Sequence, residues 1–476
     1  MQTNTYESPL CSRYASKDMQ RLFSADTRII TWRNLWVALA EAEHALGLPV
    51  TKEQVEELRA HVADIDYAAI AEKEKQNRHD VMAHVYGYGL VCPNAAGIIH
   101  LGATSCYVTD NADILIYRDA LHLTLTKLFG VIRNLSKFAM EYRALPTLGY
   151  THFQPAQPVT VGKRAALWLQ DFVLDVEELL FVRDSLRLLG SKGTTGTQAS
   201  FLELFDGDHK KVKALDGRIA AAFGMSGVYP VSGQTYPRKV DSRILNVLSA
   251  IAQSAYRFAN DLRLLQHEHE VEEPFEKGQV GSSAMAYKRN PMRSERICSL
   301  ARYVMANAQN APMTASTQWL ERTLDDSANR RISLPESFLA VDAVLNLMLN
   351  VTDGLKVYPA VIRRHLMEQM PFMATENLLM EAVKRGGDRQ ALHEVIREHS
   401  MAAAARMKEE GVPCDLLARL AGDPRMGLSA SDLENILDPS AYIGRAPEQV
   451  EEYIETVVAP LLQAHGAKVL TAEIEV

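Results

Sequence analysis

From Lys163 to Leu189 the chain contains neither glycine nor proline. Starting just ahead of it, Val161, Ala165, Trp168, Phe172, Val176, Leu179, Val182, Leu186 and Leu189 recur every three or four residues. That period is one face of an α-helix, and at 1.5 Å per residue it spans about 40 Å. A second run is Val240, Ile244, Val247, Ile251, Ala255, Phe258, Leu262 and Leu265. Others lie at 113–140, 292–310 and 328–352, the last interrupted by Pro335, which predicts a kink or a break. Helices this long cannot bury their stripes inside a small globule; they pack side by side as a bundle. Their apolar surface points to helices from several subunits bundling together.

The flanks differ. Residues 1–30 are polar and irregular, Thr31 to Leu46 reads as a helix, and Thr51 to Lys75 is charged and helical in character. A Gly-punctuated apolar passage, Ala95 to Ser105, suits the end of a first domain. From about 358 the segments shorten between turn signals such as Gly386-Gly387, Asp423-Pro424 and Asp438-Pro439. Strand-like alternation is scarce. The expectation is an all-α chain of three helical domains, 1–104, 105–357 and 358–476, the central one a long-helix bundle that assembles between subunits.

A formal net charge of -8 argues against general nucleic-acid binding. The five cysteines are scattered, with no C-x-x-C pair, so neither a zinc site nor a disulfide framework is indicated; reduced cytosolic thiols are expected. The N-terminus lacks a basic region followed by an apolar run, and no run of about 18 apolar residues occurs. No signal peptide, no membrane span and a cytoplasmic location are the expectations. There is no H-E-x-x-H, and no G-x-G-x-x-G after a strand, so no metal and no cofactor are implied.

The chemistry-bearing stretch is Gly281 to Arg296, G-S-S-A-M-A-Y-K-R-N-P-M-R-S-E-R. Small hydroxyl residues open it; Asn290-Pro291 reads as N-cap and first residue of a helix. Lys288, Arg289, Arg293 and Arg296 face the single acid Glu295. A helix N-terminus repels cations, so their presence suggests a bound anion, the alternative being a solvated basic turn. Elsewhere, His152 lies in a polar turn fixed by Pro155 and Pro158, with the helix beginning at Gln157 or Pro158; imidazole exchanges protons near neutral pH. Arg78, His79 and Asp80 form a cation–base–acid triplet or a capped helix start. Thr104 and Ser105 suit a carboxylate or a helix cap. The Gly193–Ser200 segment reads as a weak phosphate cradle or a tight turn, and Gln234 is a loop amide. Arg322 and Arg331, with Ser327, suit a phosphate or carboxylate, or a surface ion-pair network with Asp325 and Asp326.

The 281–290 stretch resembles the catalytic loop of the fumarase/aspartase superfamily, G-S-S-x-M-P-x-K-x-N, with Ala286 in place of the usual Pro. The passages R-H-D-V-M-A-H, A-A-G-I-I-H-L-G-A-T-S-C-Y-V, L-P-T-L-G-Y-T-H-F-Q-P-A-Q, K-G-T-T-G-T-Q-A-S-F, E-R-T-L-D-D-S-A-N-R-R and M-P-F-M-A-T-E-N resemble the adenylosuccinate lyases of the animal type. The resemblance implies β-elimination of fumarate from adenylosuccinate and from SAICAR, small-molecule nucleotide substrates. It implies Ser282 as base, His152 as acid, Lys288 stabilising carboxylate charge, and His79 orienting His152 or the phosphate. Carried over by position, Arg13, Tyr14, Arg78, Asp80, Thr104, Ser105, Thr151, Gln234, Arg296, Arg322, Ser327 and Arg331 bind substrate. It also implies a homotetramer whose sites are each built by three subunits. Another fumarate-releasing lyase, such as argininosuccinate lyase, and a catalytically silent structural relative are the competing readings.

Overall fold

The computed structural model describes residues 4–429, 432 and 436–465. Five long helices form its centre: Cys106–Glu141, Val161–Ser185, Lys239–His267, Met292–Asn307 and Asp325–Asp353. The apolar stripes converge on one core, in which Leu128, Ile132, Phe172, Val176, Ile251, Phe258, Val304, Val341 and Met348 are fully buried. Each such side chain contributes about 1.5–3 kcal/mol on leaving water. The Asp325–Asp353 helix is apolar and long enough to cross a membrane, but 78% of its apolar window is buried inside the bundle.

Most of the N-terminal helices join this core, through Trp36, Leu58, Val81 and Tyr88 among others. A separate core joins Ala374, Leu378, Leu392, Val395, Leu416 and Leu420. The segment around Val450 and Val458 returns to the main core.

Five local readings need correction. Among their described residues, positions 1–30 are not irregular: Ser16 caps a helix at Lys17–Leu22 and Ser24 caps another at Ala25–Ala45, whose polar first turn hides its start. The helix from Val161 ends at Ser185, and Leu186 is extended (ψ 140°). Leu186, Leu188 and Leu189 are buried all the same, because Leu188 bridges Val228 and the Asn111 amide clamps both backbone groups of Gly190 at 3.0 and 3.2 Å. An apolar stripe reports burial, and here burial continues after the helix stops.

Pro335 does not break its helix, which runs unbroken from Asp325 to Asp353. The cost of an interior proline is about 3 kcal/mol, and Leu334, Phe338 and Val341, all buried, hold the helix on both sides of it.

Residues 146–160 are not a proline-fixed turn but an antiparallel hairpin of Pro146–Thr151 and Gln154–Thr160, irregular at Leu148/Gly149. His152 and Phe153 are its two-residue turn, both with positive φ (53° and 55°), the geometry that suits the strand twist. The helix starts only at Val161, where Thr160 Oγ1 accepts from the Lys163 amide at 3.0 Å.

Asn290 does not cap the helix after the 281–290 loop. Its Nδ2 donates to the Gly281 carbonyl at 2.8 Å and ties the loop shut, and the helix begins at Met292. The anion at this helix start is the protein's own Glu273. Its oxygens accept from the amides of Arg293 (3.0 Å) and Ser294 (2.9 Å) and from Ser294 Oγ (2.8 Å). Glu276 pairs with Arg293 at 2.5 Å, and Glu272 with Arg289 at 3.5 Å. Much of the basic cluster is thus matched by carboxylates that precede it in sequence.

Candidate active site

A cleft of about 780 Å³ opens at one end of the bundle. One wall is built where two helices meet. Arg78 ends the Tyr67–Asn77 helix in the left-handed region (φ 56°), and His79 caps the next helix, Asp80–Val91. His79 Nδ1 accepts from the Met82 amide at 3.3 Å. That leaves the proton on Nε2, which lies 3.4 Å from Ser105 Oγ and donates to it. The triplet is therefore a capped helix start and a lining of the cleft at once. Ser105 precedes the Cys106–Glu141 helix without capping it by its side chain, so its hydroxyl stays in the cleft; Thr104 adjoins it.

A second wall is the start of the Asp325–Asp353 helix, contributing Ser327 and Arg331, with Arg322 just ahead. Arg331 Nη2 reaches across to Asp80 Oδ2 at 3.6 Å. The alternative reading, a surface network with Asp325 and Asp326, is met in part by a buried network through Asp326. Asp326 binds Arg322 at 2.9 Å and Arg238 at 2.6 Å. Arg238 also binds Asp110 at 2.8 Å; Arg330 binds Asp241 at 2.6 Å and Asp113 at 3.0 Å. Burial pushes the Asp326 carboxyl up, but Arg238 and Arg322 outweigh it and hold it below the ordinary range. Burial lifts Asp113, which lines the cleft, to about 6 despite Arg330. Broken pairs in such a floor leave uncompensated buried charge, so the floor holds its arginines in place.

Gln234 lines the cleft with both ends of its amide engaged. Nε2 donates to the Thr194 carbonyl at 2.9 Å, and Oε1 accepts from Cys106 Sγ at 3.4 Å. The Gly193–Ser200 segment is thus a tight turn that anchors Gln234. Gly196 (φ 83°) is required there, since a Cβ would lie 1.9 Å from the Ser232 carbonyl oxygen.

The remaining candidates do not line this cleft. Thr151 and His152 sit at the exposed hairpin tip. Ser282 and Lys288 belong to the 281–290 loop, where Ser282 Oγ accepts from the amides of Ala284 (3.3 Å) and Met285 (3.1 Å). Backbone donors aimed at a hydroxyl oxygen favour negative charge on it. The sequence gave no sign of these two amides. Arg13 is exposed, and Arg296 lies over the Tyr14 ring at 5.6 Å.

The separation is set by helix length. Arg238, in the cleft floor, precedes the Lys239–His267 helix; Gln266, at its far end, donates to the Arg289 carbonyl of the loop at 3.0 Å. Those ends are about 40 Å apart. Likewise Ser105 precedes the Cys106–Glu141 helix and the His152 hairpin follows it. Within one chain, the cleft residues lie at one end of the bundle and Ser282 and His152 at the other.

Sequence reasoning missed Arg28, Trp32, Glu74, Arg238 and Arg330 around the cleft. For Ser24, Arg28 and Trp32 the signal was their spacing of four, which places them on one helix face. For the floor arginines no local signal existed, because their partners are remote in sequence.

Residues 35–306 match the family model described as Lyase, and residues 371–453 match Adenylosuccinate lyase C-terminus. The chain is 52% identical over 461 residues to the adenylosuccinate lyase of Schizosaccharomyces pombe, covering 96% of both chains. It is 54% identical to that of Saccharomyces cerevisiae, with 97% of this chain and 96% of the relative covered. Against the adenylosuccinate lyase of Pyrococcus abyssi the identity is 32%, with 94% and 97% covered. In fold it is similar to 3-carboxy-cis,cis-muconate lactonizing enzyme from Pseudomonas putida, with TM-score 0.81, 25% identity and 93% and 97% covered. It is likewise similar to a fumarate lyase from Mesorhizobium, with TM-score 0.79, 23% identity and 95% and 99% covered.

Proposed function

Because the chain belongs to the adenylosuccinate lyase family, we propose that it splits adenylosuccinate into AMP and fumarate, and SAICAR into AICAR and fumarate. It is a lyase, and the bond broken joins carbon to nitrogen. Ser282 takes a proton from the carbon beside one succinyl carboxylate, and the electron pair left behind is held on that carboxylate. Lys288 stabilises the charge. The pair then forms the fumarate double bond as the carbon–nitrogen bond breaks, and His152 protonates the departing nitrogen. A serine hydroxyl needs help to act as a base, and the Ala284 and Met285 amides supply it in the 281–290 loop.

Arg78, Asp80, Thr104, Ser105, Gln234, Arg322, Ser327 and Arg331 hold the substrate at the cleft, with His79 orienting His152 or the phosphate. Arg13, Tyr14, Thr151 and Arg296 bind from the other regions. Since the cleft and the Ser282 loop sit about 40 Å apart in one chain, each site is completed by other copies in a homotetramer. In support, Leu167, Leu174 and Phe181, seven residues apart on the Val161–Ser185 helix, are 42%, 53% and 62% exposed. That is an apolar seam suited to another helix. The same reading divides the chain at 104 and 357 into three units, the last containing the separate core of Ala374 to Leu428 while its Val450 segment packs on the main one, and places the enzyme in the cytoplasm.

The observation that carries the proposal is the near full-length match to adenylosuccinate lyases, in a chain that has Ser282, His152 and Lys288 in the passages that resemble the family. The test is fumarate release by purified protein from adenylosuccinate, from SAICAR and from argininosuccinate. Release from the first two alone is expected; release from argininosuccinate alone, or from none, overturns the reading.

A further inference from the structure

Beyond the residues already placed at the cleft, one cation has no assigned task. Arg28 lies in the Ala25–Ala45 helix, four residues after Ser24 and four before Trp32, and all three line the cleft. This spacing makes them one helix face. Arg28 is exposed to solvent and makes no ion pair among the described residues. Its guanidinium lies 5.7 Å from the centroid of the Trp32 ring, a face that steadies it without neutralising it. Trp32 itself is only 3% exposed, and its Nε1 has no hydrogen-bond partner among the described residues.

Arg78 lines the same cleft, four residues after Glu74, and it too makes no ion pair among the described residues, where Glu74 pairs with neither arginine. A further observation concerns the charge around Arg28. His84, packed edge-on against Trp32 at 5.4 Å, is pushed down to about 4 by burial first and then by Arg28 and Arg33, with Asp80 opposing them. The arginines of the second wall are different: Arg322 is paired with Asp326, and Arg331 is near Asp80. The lining of the cleft therefore includes two guanidinium groups, of Arg28 and Arg78, that have no ion pair among the described residues.

We infer that Arg28, acting with Arg78, binds an anionic oxygen group of the ligand at the Ser24–Trp32 end of the cleft. The inference rests on the nucleotide-substrate reading above, in which the ligand carries a phosphate and two carboxylates. Guanidinium is the side chain that grips either group with paired donors. Arg28 is a binding residue, and its work is affinity.

The test is calorimetric binding to the assembled full-length protein, comparing wild type with Arg28→Ala and Arg28→Lys. The probes are AMP, which has the phosphate alone, fumarate, which has carboxylates alone, and adenosine, which has neither. Arg28→Ala should weaken one of the two anions by at least about tenfold, and Arg28→Lys should recover part of it. Loss confined to AMP assigns the phosphate to this end; loss confined to fumarate assigns a carboxylate. Adenosine binding should not change, nor should the melting temperature, since Arg28 is exposed. Unchanged binding of both anions, or an equal loss for adenosine and AMP, overturns the inference. Wild-type fumarate release from adenylosuccinate is measured alongside. If that fails while Arg28→Ala still loses AMP, the functional reading is wrong and the anion subsite stands.

Discussion

A mixing experiment between two inactive variants tests the spatial argument directly. Arg238 and Gln266 flank a helix of 29 residues, Lys239–His267, so the cleft and the Ser282 loop are about 40 Å apart in one chain. No side chain bridges that distance. His79→Ala removes a cleft residue, and Ser282→Ala removes the proposed base. Each alone should lower turnover by at least about a hundredfold. In a symmetric assembly that draws the cleft from one chain and the loop from another, random mixing in equal amounts leaves each component intact with odds of about one half. Roughly a quarter of sites are then whole, so activity should rise to on the order of a quarter of wild type. If both residues came from the same chain, every site would carry one defect and nothing would be recovered. The variants are dissociated, mixed and reassembled, hybrids are verified by native mass spectrometry, and fumarate release is followed. Verified hybrids no more active than either parent would refute the shared-site geometry.

Three further outcomes are expected. Ser282→Ala should cut turnover at least about a hundredfold with an unchanged melting temperature, because the hydroxyl's contacts are confined to its own loop. Ser283→Ala should be milder, and equal losses from the two would remove Ser282 from its role. Ala286→Pro should slow proteolysis within 281–290. The Lys288 amide donates to the Met285 carbonyl at 3.0 Å, so Ala286 occupies the second position of a turn, where proline fits and constrains the unfolded chain; faster cleavage would show a misfit. Glu43 is fully buried, with both carboxylate oxygens unpartnered among the described residues, and burial raises it from 4.5 to about 8. Folding therefore retains a proton that the unfolded chain releases above its ordinary value. Stability is highest below about pH 4.5 as far as this group is concerned, and it falls as pH rises towards 8, costing on the order of 3 kcal/mol at pH 7. Glu43→Gln should raise the unfolding midpoint more at pH 7 than at pH 5, and an equal gain at both would refute the assignment.

Much of the architecture was legible because it rests on local periodicity. The Val240–Leu265 stripe became a helix of almost the same bounds, and the Val161 stripe did so until Ser185. The family was equally legible, since Gly281, Ser282, Ser283, Lys288 and Asn290 are a local string. Elements whose stability is not local were not. The His152 hairpin is hidden by Pro155 and Pro158, which a two-stranded ribbon tolerates because it always has a free edge. The basic cluster after the loop looked open to an anion only because Glu272, Glu273 and Glu276 could not be placed against it from the sequence.

By itself the sequence determined that long amphipathic helices bundle, and which residue types are available for a β-elimination. Only the tertiary structure decided which of them meet. Helix length carries His79, Ser105 and Arg331 to one end of the chain and Ser282 and His152 to the other. The buried pairs of Arg238 and Arg330 with Asp110, Asp113, Asp241 and Asp326 join residues up to 217 positions apart. Charges in a low-dielectric floor choose partners by proximity in space, and no spacing along the chain records that choice.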